Sequence, residues 1–533
     1  MQLKLIGNDS SKVLNKVNIR KPFSGYQCPP HWRVVERYAL DAPFAYAVIA
    51  ENESSSEKRY FLDELPLSDQ ESSLYSALLD ALEYELNVPR TQVEPRSYFK
   101  EQAEHVIKKY SLRAPPTSWL KIHYFAERDL VGFDVLDGLL KDPNIEDISI
   151  DGLGKPVFVY HRRHESLGTN ILIDDGERLD NLISKLAHMA GKHVSTAFPI
   201  VQGTLPGNHR LMATYRKEIS PHGGSLTIRK FRADPITVID MISMNVLDSN
   251  LAAYFWLLME NRATSIVVGA TGSGKTTLMN ALLTLTRMNT KIVTIEEVQE
   301  INIPHTNWTP LVARENYATV DDKARQVGMF ELVKAAMRMR PDILVVGEVR
   351  GEEAYVLFQA ISTGHGGMCT LHADDASSAI QRLTSKPMDV PPAFIPFLDL
   401  VLTVRRVSVP ASGGGFKAVR RVLSVDEIMS VGSYTRMYTW DPTLDRYIPA
   451  PLKNSVKLSK LSKDLGVSMV WIAEEIGRRS RVLKWAQQKG IRNFKEVSVL
   501  FDEYRASPDA VYQRAVSEIG AGQEEGTPEL WAS

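Results

Sequence analysis

The sequence predicts an α/β protein: a central domain with a mostly parallel sheet, preceded by an α+β domain and followed by a small helical region. Three observations predict it. Between about 236 and 450, short apolar runs alternate with helix-like stretches, as parallel strands joined by crossover helices require. Within that region Ser265-Ile266-Val267-Val268 runs into Gly269-Ala270-Thr271-Gly272-Ser273-Gly274-Lys275-Thr276-Thr277 and then Leu278 to Leu283, the strand, loop and helix context of a phosphate-binding loop. Hydrophobic residues at 44% and charged residues at 24% of 533 positions are ordinary for a soluble globular chain, enough for about three to four domains.

Residues 1–115 read as an accessory α+β module. The start, Met1 to Asp9, lacks the sustained apolar core of a signal peptide. Glu51 to Arg59 is a polar loop or hairpin tip by composition, and Ser72 to Leu86 repeats apolar residues at helical spacing. The cluster Ala114-Pro115-Pro116-Thr117 marks a boundary. Residues 116–232 form a second module, with a helix around Trp119 to Phe125, short strands at 145–150 and 157–160, and turn residues Asp151, Gly152 and Gly154 between them. Arg178 to Ala190 returns to helical spacing, and 211–215 and 225–229 read as a closing pair of strands.

Residues 233–452 hold the parallel sheet, with strands expected at 264–268, 291–295, 343–346 and 368–371. Ser412-Gly413-Gly414-Gly415 joins 400–409 to 419–425 as a long antiparallel hairpin. Residues 453–519 read as helical, Asp464 to Ser468 opening one helix and Arg478 to Lys489 continuing the pattern. The last stretch, 520–533, is small, acidic and of disordered composition.

Charge and cysteine content narrow the function classes. Lys plus Arg (63) nearly cancels Asp plus Glu (64), so no global basic field favours nucleic acid. The two cysteines, Cys28 and Cys369, stand in unrelated contexts, which argues against a disulfide framework and a CxxC zinc module. No run approaches the ~20 apolar residues of a membrane span, so work at a membrane would proceed from its aqueous side.

The loop at 269–277 predicts a nucleoside triphosphate ligand. Glycines at 269, 272 and 274 permit torsions and close approach that a Cβ would block, so successive amides can turn inward around a β-phosphate, above a helix N-terminus. Thr271, Gly272, Ser273 and Gly274 supply the cradle, Lys275 a mobile charge for the β/γ oxygens, and Thr276 a hydroxyl for Mg2+. Thr277 is placed for the α-phosphate side.

Hydrolysis also needs carboxylates. Thr294-Ile295-Glu296-Glu297-Val298-Gln299-Glu300 ends a strand, where ligands of parallel sheets sit; a glutamate there can polarise water, though an exposed acidic loop has the same composition. Asp342 to Val346 leads into Gly347-Glu348, an apolar strand ending in an acid that holds the metal's water shell. Gly347 occupies the position where an Asp is usual, so Glu348 is expected to meet a metal through water rather than directly. Thr363 to Ala373 carries His365 and His372; zinc-ligand spacing is lacking, and a neutral histidine bonding the γ-phosphate or orienting Glu348 is the preferred reading.

Gly269–Thr277, Thr294–Glu300, Leu344–Arg350 and Thr363–His372 together resemble the Walker A, Asp, Walker B and His boxes of the type II/type IV secretion ATPase superfamily. Asn144–Ser149, Pro156–Tyr160, Thr227–Lys230, Ile303–Trp308 and Leu371–Asp375 resemble its archaeal branch, which includes archaellum motors and archaeal pilus or secretion ATPases. The resemblance implies a RecA-like domain, on which residues 117–230 rotate through a linker near 231–238, in a homo-hexameric ring that binds and turns over ATP with Mg2+. It further implies Glu296 as catalytic carboxylate, Glu348 as Walker B acid and metal-side residue with Thr276, His372 as sensor with His365 supporting it, and Arg210 and Arg229 directed at the γ-phosphate. Arg338, Arg340 and Arg350 compete for that last role. The implied partners are a polytopic membrane platform protein and other filament or secretion components, met at the inner face of the cell membrane without direct insertion; a cytoplasmic location and no nucleic-acid partner follow. Two alternatives stay open: a RecA-like nucleic-acid translocase, and a scaffold that binds ATP to assemble without turning it over.

Overall fold

The computed structural model describes residues 29–85, 93–232, 234–314, 327–410 and 415–519. Met1 to Asp9, Cys28, the glycines of the hairpin tip at 413–414 and the tail at 520–533 fall outside them. The chain divides into two compact units, Met1–Phe231 and Arg232–Ser533.

The first unit is α+β. Its sheet is built from β1 (Trp32–Asp41), β2 (Ala45–Asn52), β3 (Lys58–Glu64), β4 (Ile145–Ile150), β5 (Pro156–His161), β6 (Glu165–Leu172), β7 (Ile200–Leu205), β8 (His209–Thr214) and β9 (Ser225–Arg229). They lie in the order β1-β2-β3-β6-β5-β4-β9-β8-β7. Every neighbouring pair is antiparallel except β3 with β6, where Arg59 faces Gly168 and Tyr60 faces Thr169. Strands from both sides of the Ala114–Thr117 cluster therefore share one sheet, and the prolines there open the helix Pro116–Leu130 instead. Alternation places Ile148, Val157, Val159, Leu211 and Ile228 on a buried face beneath the helix Gly176–Met189. Helices Asp69–Glu85, Pro95–Lys109 and Pro116–Leu130 close a small core of their own around Leu78, Phe99 and Ile122.

The second unit is α/β. β10 (Ser265–Val268), β11 (Ile292–Glu296), β12 (Trp308–Val312), β13 (Ile343–Val346), β14 (Gly366–Leu371) and β15 (Leu400–Pro410) pair in parallel in the order β12-β11-β13-β14-β10-β15. β16 (Phe416–Ser430), β17 (Ser433–Asp441) and β18 (Arg446–Pro449) extend it as an antiparallel meander. The four-residue strands at 265–268 and 343–346 are buried throughout, because both faces are covered. Val267, Ile343 and Val345 point into one core with helices Ser249–Glu260 and Lys275–Leu283; Ile266, Val268, Leu344 and Val346 point into the other, with helices Met329–Met337, Glu353–Ser362 and Ala376–Thr384.

The carboxy-terminal helices join the first of these cores. Helix Ser249–Glu260 is buried nearly all round, since Phe501 and Tyr504 stack against its Trp256 with ring centroids 4.4 and 5.0 Å away. Truncating Trp256 to alanine would cost about 3–5 kcal/mol. One local expectation is corrected. Asp464 to Ser468 does not open a helix: Gly466, at φ 67°, ends Val456–Leu465, and the Ser468 side chain caps the next helix, Met469–Lys489.

Candidate functional site

The site lies where the carboxyl ends of β10, β11, β13 and β14 converge, the crevice in which an open parallel sheet receives ligands. After β10 the chain turns through the glycine loop, with φ of 156° at Gly269, 72° at Gly272 and 97° at Gly274. Gly269 has a second constraint: a Cβ there would fall 2.2 Å from the carbonyl oxygen of Val404 and 2.6 Å from Ser273 Oγ. Gly274 opens the helix Lys275–Leu283, whose N-terminal amides thus face the loop's concavity. Ser273 Oγ is buried and has no hydrogen-bond partner, a donor left for an anion.

Lys275 is 8% exposed. Its Nζ donates to the carbonyl of Ala270 at 3.1 Å and lies 3.4 Å from His372 Nδ1. Burial lowers its pKa, with Glu348 opposing that shift. His372 follows β14, beside β10, and its Nε2 is 2.9 Å from Glu348 Oε1. Burial and the Lys275 charge lower the His372 pKa, which favours neutral imidazole at neutral pH. Thr276 and Thr277 stand half-buried in the first turn of the same helix, and Thr271 is exposed at the loop's rim.

The two expected acids end neighbouring strands and meet different surroundings. Glu296 closes β11 and is 3% exposed. Its Oε1 accepts hydrogen bonds from the amides of Glu300 at 2.9 Å and Ile301 at 3.0 Å, while its buried Oε2 has no partner. Burial pushes its pKa up to about 7, against the pull of those two amides. Glu348 follows β13 and is held by Arg350, whose Nε and Nη2 donate at 2.9 and 2.8 Å. Burial would raise the Glu348 pKa, but Arg350, His372 and Lys275 outweigh it and hold the carboxyl below its ordinary value. The departure at Gly347 has a steric reason: a Cβ there would sit 3.0 Å from Glu296 Cγ, so the glycine makes room for the buried acid.

His365 is not part of this site. It precedes β14 while His372 follows it, so the two lie at opposite ends of a six-residue strand, roughly 20 Å apart at about 3.3 Å per residue. His365 Nδ1 instead sits 3.2 Å from both Thr363 Oγ1 and the carbonyl of Ala360, at the end of helix Glu353–Ser362. A histidine pair spaced by the length of a strand cannot converge on one ligand.

Arg210 and Arg229 lie in the first unit, facing each other on β8 and β9, so their side chains leave the same face of that sheet. Arg229 Nε also bonds Asp147 Oδ1 at 3.2 Å from its other neighbour, β4. Arg338 and Arg340 end the helix before β13, at the strand's opposite end from Glu348, whereas Arg350 is in the site.

Sequence reasoning missed two arginines. Arg382, on helix Ala376–Thr384, donates to the carbonyl of His372 and lines a cleft of about 390 Å3 with Thr271, Glu348, Val349, Arg350 and His372. Its place ten residues after His372, on the helix that follows, was the available signal. Arg420, on β16, donates from Nε to the carbonyl of Gly272 at 3.3 Å. No local motif marks it; only strand register brings it to the loop. Among the described residues no group of three or more His, Cys, Asp or Glu side chains is arranged to hold a metal. An ion would draw on Thr276, the Glu348 side and phosphate oxygens, as Mg2+ sites that retain water do.

Comparison with known proteins agrees with these motifs. Residues 146–397 match the family described as type II/IV secretion system protein, and residues 16–64 match one described as PilB3-like, N-terminal. An uncharacterized protein of Methanocaldococcus jannaschii, MJ0900, is 36% identical over 394 residues, covering 72% of this chain and 70% of its own. The conjugal transfer protein TrbB of Rhizobium radiobacter is 28% identical over 303 residues, covering 55% of this chain and 87% of its own. A crystal structure of the pilus retraction motor PilT with bound ADP is 17% identical, with a TM-score of 0.37 over 70% of this chain and 93% of that one. With the loop, the strand-end acids and the histidine after β14 in place, the chain belongs to the type II/IV secretion system protein family, in its archaeal branch.

Proposed function

We propose that this protein is a Mg2+-dependent ATPase that works as a homo-hexameric motor, powering assembly of pilus-like filaments, the archaellum among them, or type II/IV secretion. The observation that carries the catalytic part is Glu296: a buried carboxylate with one oxygen pinned by two amides, the other unpartnered, and a pKa near 7. That is the state a general base needs at neutral pH. Its free oxygen accepts a proton from water as the water oxygen bonds the γ-phosphorus and the bond to the β,γ-bridging oxygen breaks; the proton later leaves with the products. Lys275 and the loop amides stabilise the charge passing to the leaving oxygen. Bound Mg2+ would supply further charge neutralisation at the β and γ oxygens. Glu348, its carboxylate held ionised, would hold the ion's side of the site, and His372, neutral beside it, would serve the γ-phosphate end.

Arg210 and Arg229 are proposed to act on the γ-phosphate, the role the family resemblance implies for them. The two face each other on adjacent strands, so both can reach one anion, with Asp147 already paired to Arg229. The likeness to a conjugal transfer protein and the family's description support a site of action at a secretion apparatus. We further propose that it acts on the cytoplasmic face of the membrane with a polytopic platform protein as partner, and the balanced net charge is the ground for expecting no nucleic acid. No helix among the described residues is long and apolar enough to cross a membrane. Phosphate release by the purified chain with ATP and Mg2+ tests the reading: Lys275→Ala is expected to lose nucleotide binding, and Glu296→Gln to bind but hardly turn over. Wild-type rates in the Glu296 variant would remove that residue from the reaction.

A further inference from the structure

The phosphate loop has two flanks, and the four boxes account for one. On the β14 side stand His372 and Glu348, toward which Lys275 Nζ is directed. On the β15 side, β10 pairs with β15 only from Ser265 to Val268, opposite Leu400 to Thr403. Beyond that point β15 continues to Pro410, paired with β16 from Phe416 to Val422, as a two-stranded ribbon running past the loop. The ribbon touches the loop closely. Its Val404 carbonyl occupies the space a Cβ on Gly269 would need, and the Arg420 Cδ lies 3.1 Å from where a Cβ on Gly274 would stand.

Arg420 thus covers the loop's outer flank, its Nε on the Gly272 carbonyl. Directly across the ribbon from it is Arg406, so both arginines leave the same face. A cation beside a helix N-terminus opposes the helix dipole. Arg420 stands in that position next to the Lys275 helix, and a polyanion in the loop relieves it. Since the reacting end of the nucleotide belongs on the β14 flank with Lys275, His372 and Glu348, the ribbon faces the other end.

Resting on the ATPase reading above, we propose that Arg420, with Arg406 beside it, is a phosphate-binding residue of the nucleotide site that grips the non-transferred phosphates. Such a contact is equal in substrate, transition state and product. It contributes uniform binding, raising affinity without accelerating the chemistry.

The test is equilibrium binding of fluorescent ATP and ADP analogues to the full chain, with steady-state hydrolysis measured alongside. Arg420→Gln is expected to weaken ATP and ADP about tenfold alike, to raise KM by the same factor, to leave kcat within about twofold, and to flatten the salt dependence of ADP binding. Arg420→Lys, which keeps the charge but not the Nε donor, should recover most of the affinity; Arg406→Gln should show a smaller loss in the same direction. Unchanged ADP affinity in Arg420→Gln, or a lysine variant as weak as the glutamine one, would overturn the proposal and leave Arg420 as a prop for the loop. A wild-type chain that binds neither nucleotide would overturn the ATPase reading and this inference with it. Thermal unfolding without nucleotide separates a misfolded variant from a weak binder.

Discussion

The ends of β11 and β13 are one hydrogen-bonded step apart, since the Gly347 amide donates to the Ile295 carbonyl at 2.8 Å, yet their acids are held in opposite states. Glu296 is buried with one oxygen unpaired and its pKa raised to about 7. Glu348 is clasped by Arg350 and His372 and held below its ordinary value. The same side chain can therefore do two jobs at adjacent strand ends, because one environment withholds solvent and the other supplies cations. In the proposed mechanism the first suits a proton acceptor and the second an anion on the metal side.

The sharpest way to break this contrast is to neutralise each acid in turn. Glu296→Gln should lower kcat by about 10³-fold while ATP affinity, by analogue titration, stays near wild type. Glu348→Gln should lower kcat by about 100-fold and raise the Mg2+ concentration needed for half-maximal rate. If the two variants behave alike in the Mg2+ titration, the division of labour is wrong.

Stability provides an independent reading. The Glu296 pKa is raised on folding from 4.5 to about 7, so this group's contribution is fully present below about 4.5 and is lost as pH rises through about 7. Glu296→Gln removes that penalty. The variant should be more stable than wild type by up to about 3 kcal/mol at pH 8 and no more stable at pH 4, as denaturant titrations at the two pH values would show. A variant less stable at pH 8 would mean that Glu296 is not a desolvated carboxylate.

The rate should carry the same signature. In the wild type kcat/KM should rise about tenfold per pH unit below 7 and level off above it, as Glu296 ionises. Glu296→Gln should lose that limb from its residual rate. The smallest effect is expected at Gly347, where alanine places a methyl 3.0 Å from Glu296 Cγ. A fall in kcat of about tenfold or less, without loss of nucleotide affinity, would show that the glycine exists for the neighbouring acid. A silent substitution would show that Glu296 has room to move.

Much of this was legible in the chain because it is local. A strand, a glycine loop and a helix adjoin in sequence, so the nucleotide cradle could be read from nine residues, and Glu296 and Glu348 stand out as acids directly after apolar runs. The long hairpin announced itself by two β-branched runs and the glycines between them. Among the strands that were not read are β6, β7 and β17, because Gly168, Gly203 and scattered polar residues blur their alternation and their places depend on partners elsewhere. The helix Ser249–Glu260 gave no sign of why it is apolar all round until Phe501 and Tyr504 were found covering Trp256.

His365 shows where local reading stops. Two histidines in one motif invite a common role, but a strand of six residues separates them by its own length. By itself the sequence pointed to the class of ligand, the two strand-end acids and the strand, loop and helix around the glycine loop, since those rest on backbone chemistry within a few residues. Only the tertiary structure decided which acid is desolvated, which histidine faces the loop and which ribbon arginine lies against it, since burial and register are set by segments far apart in the chain.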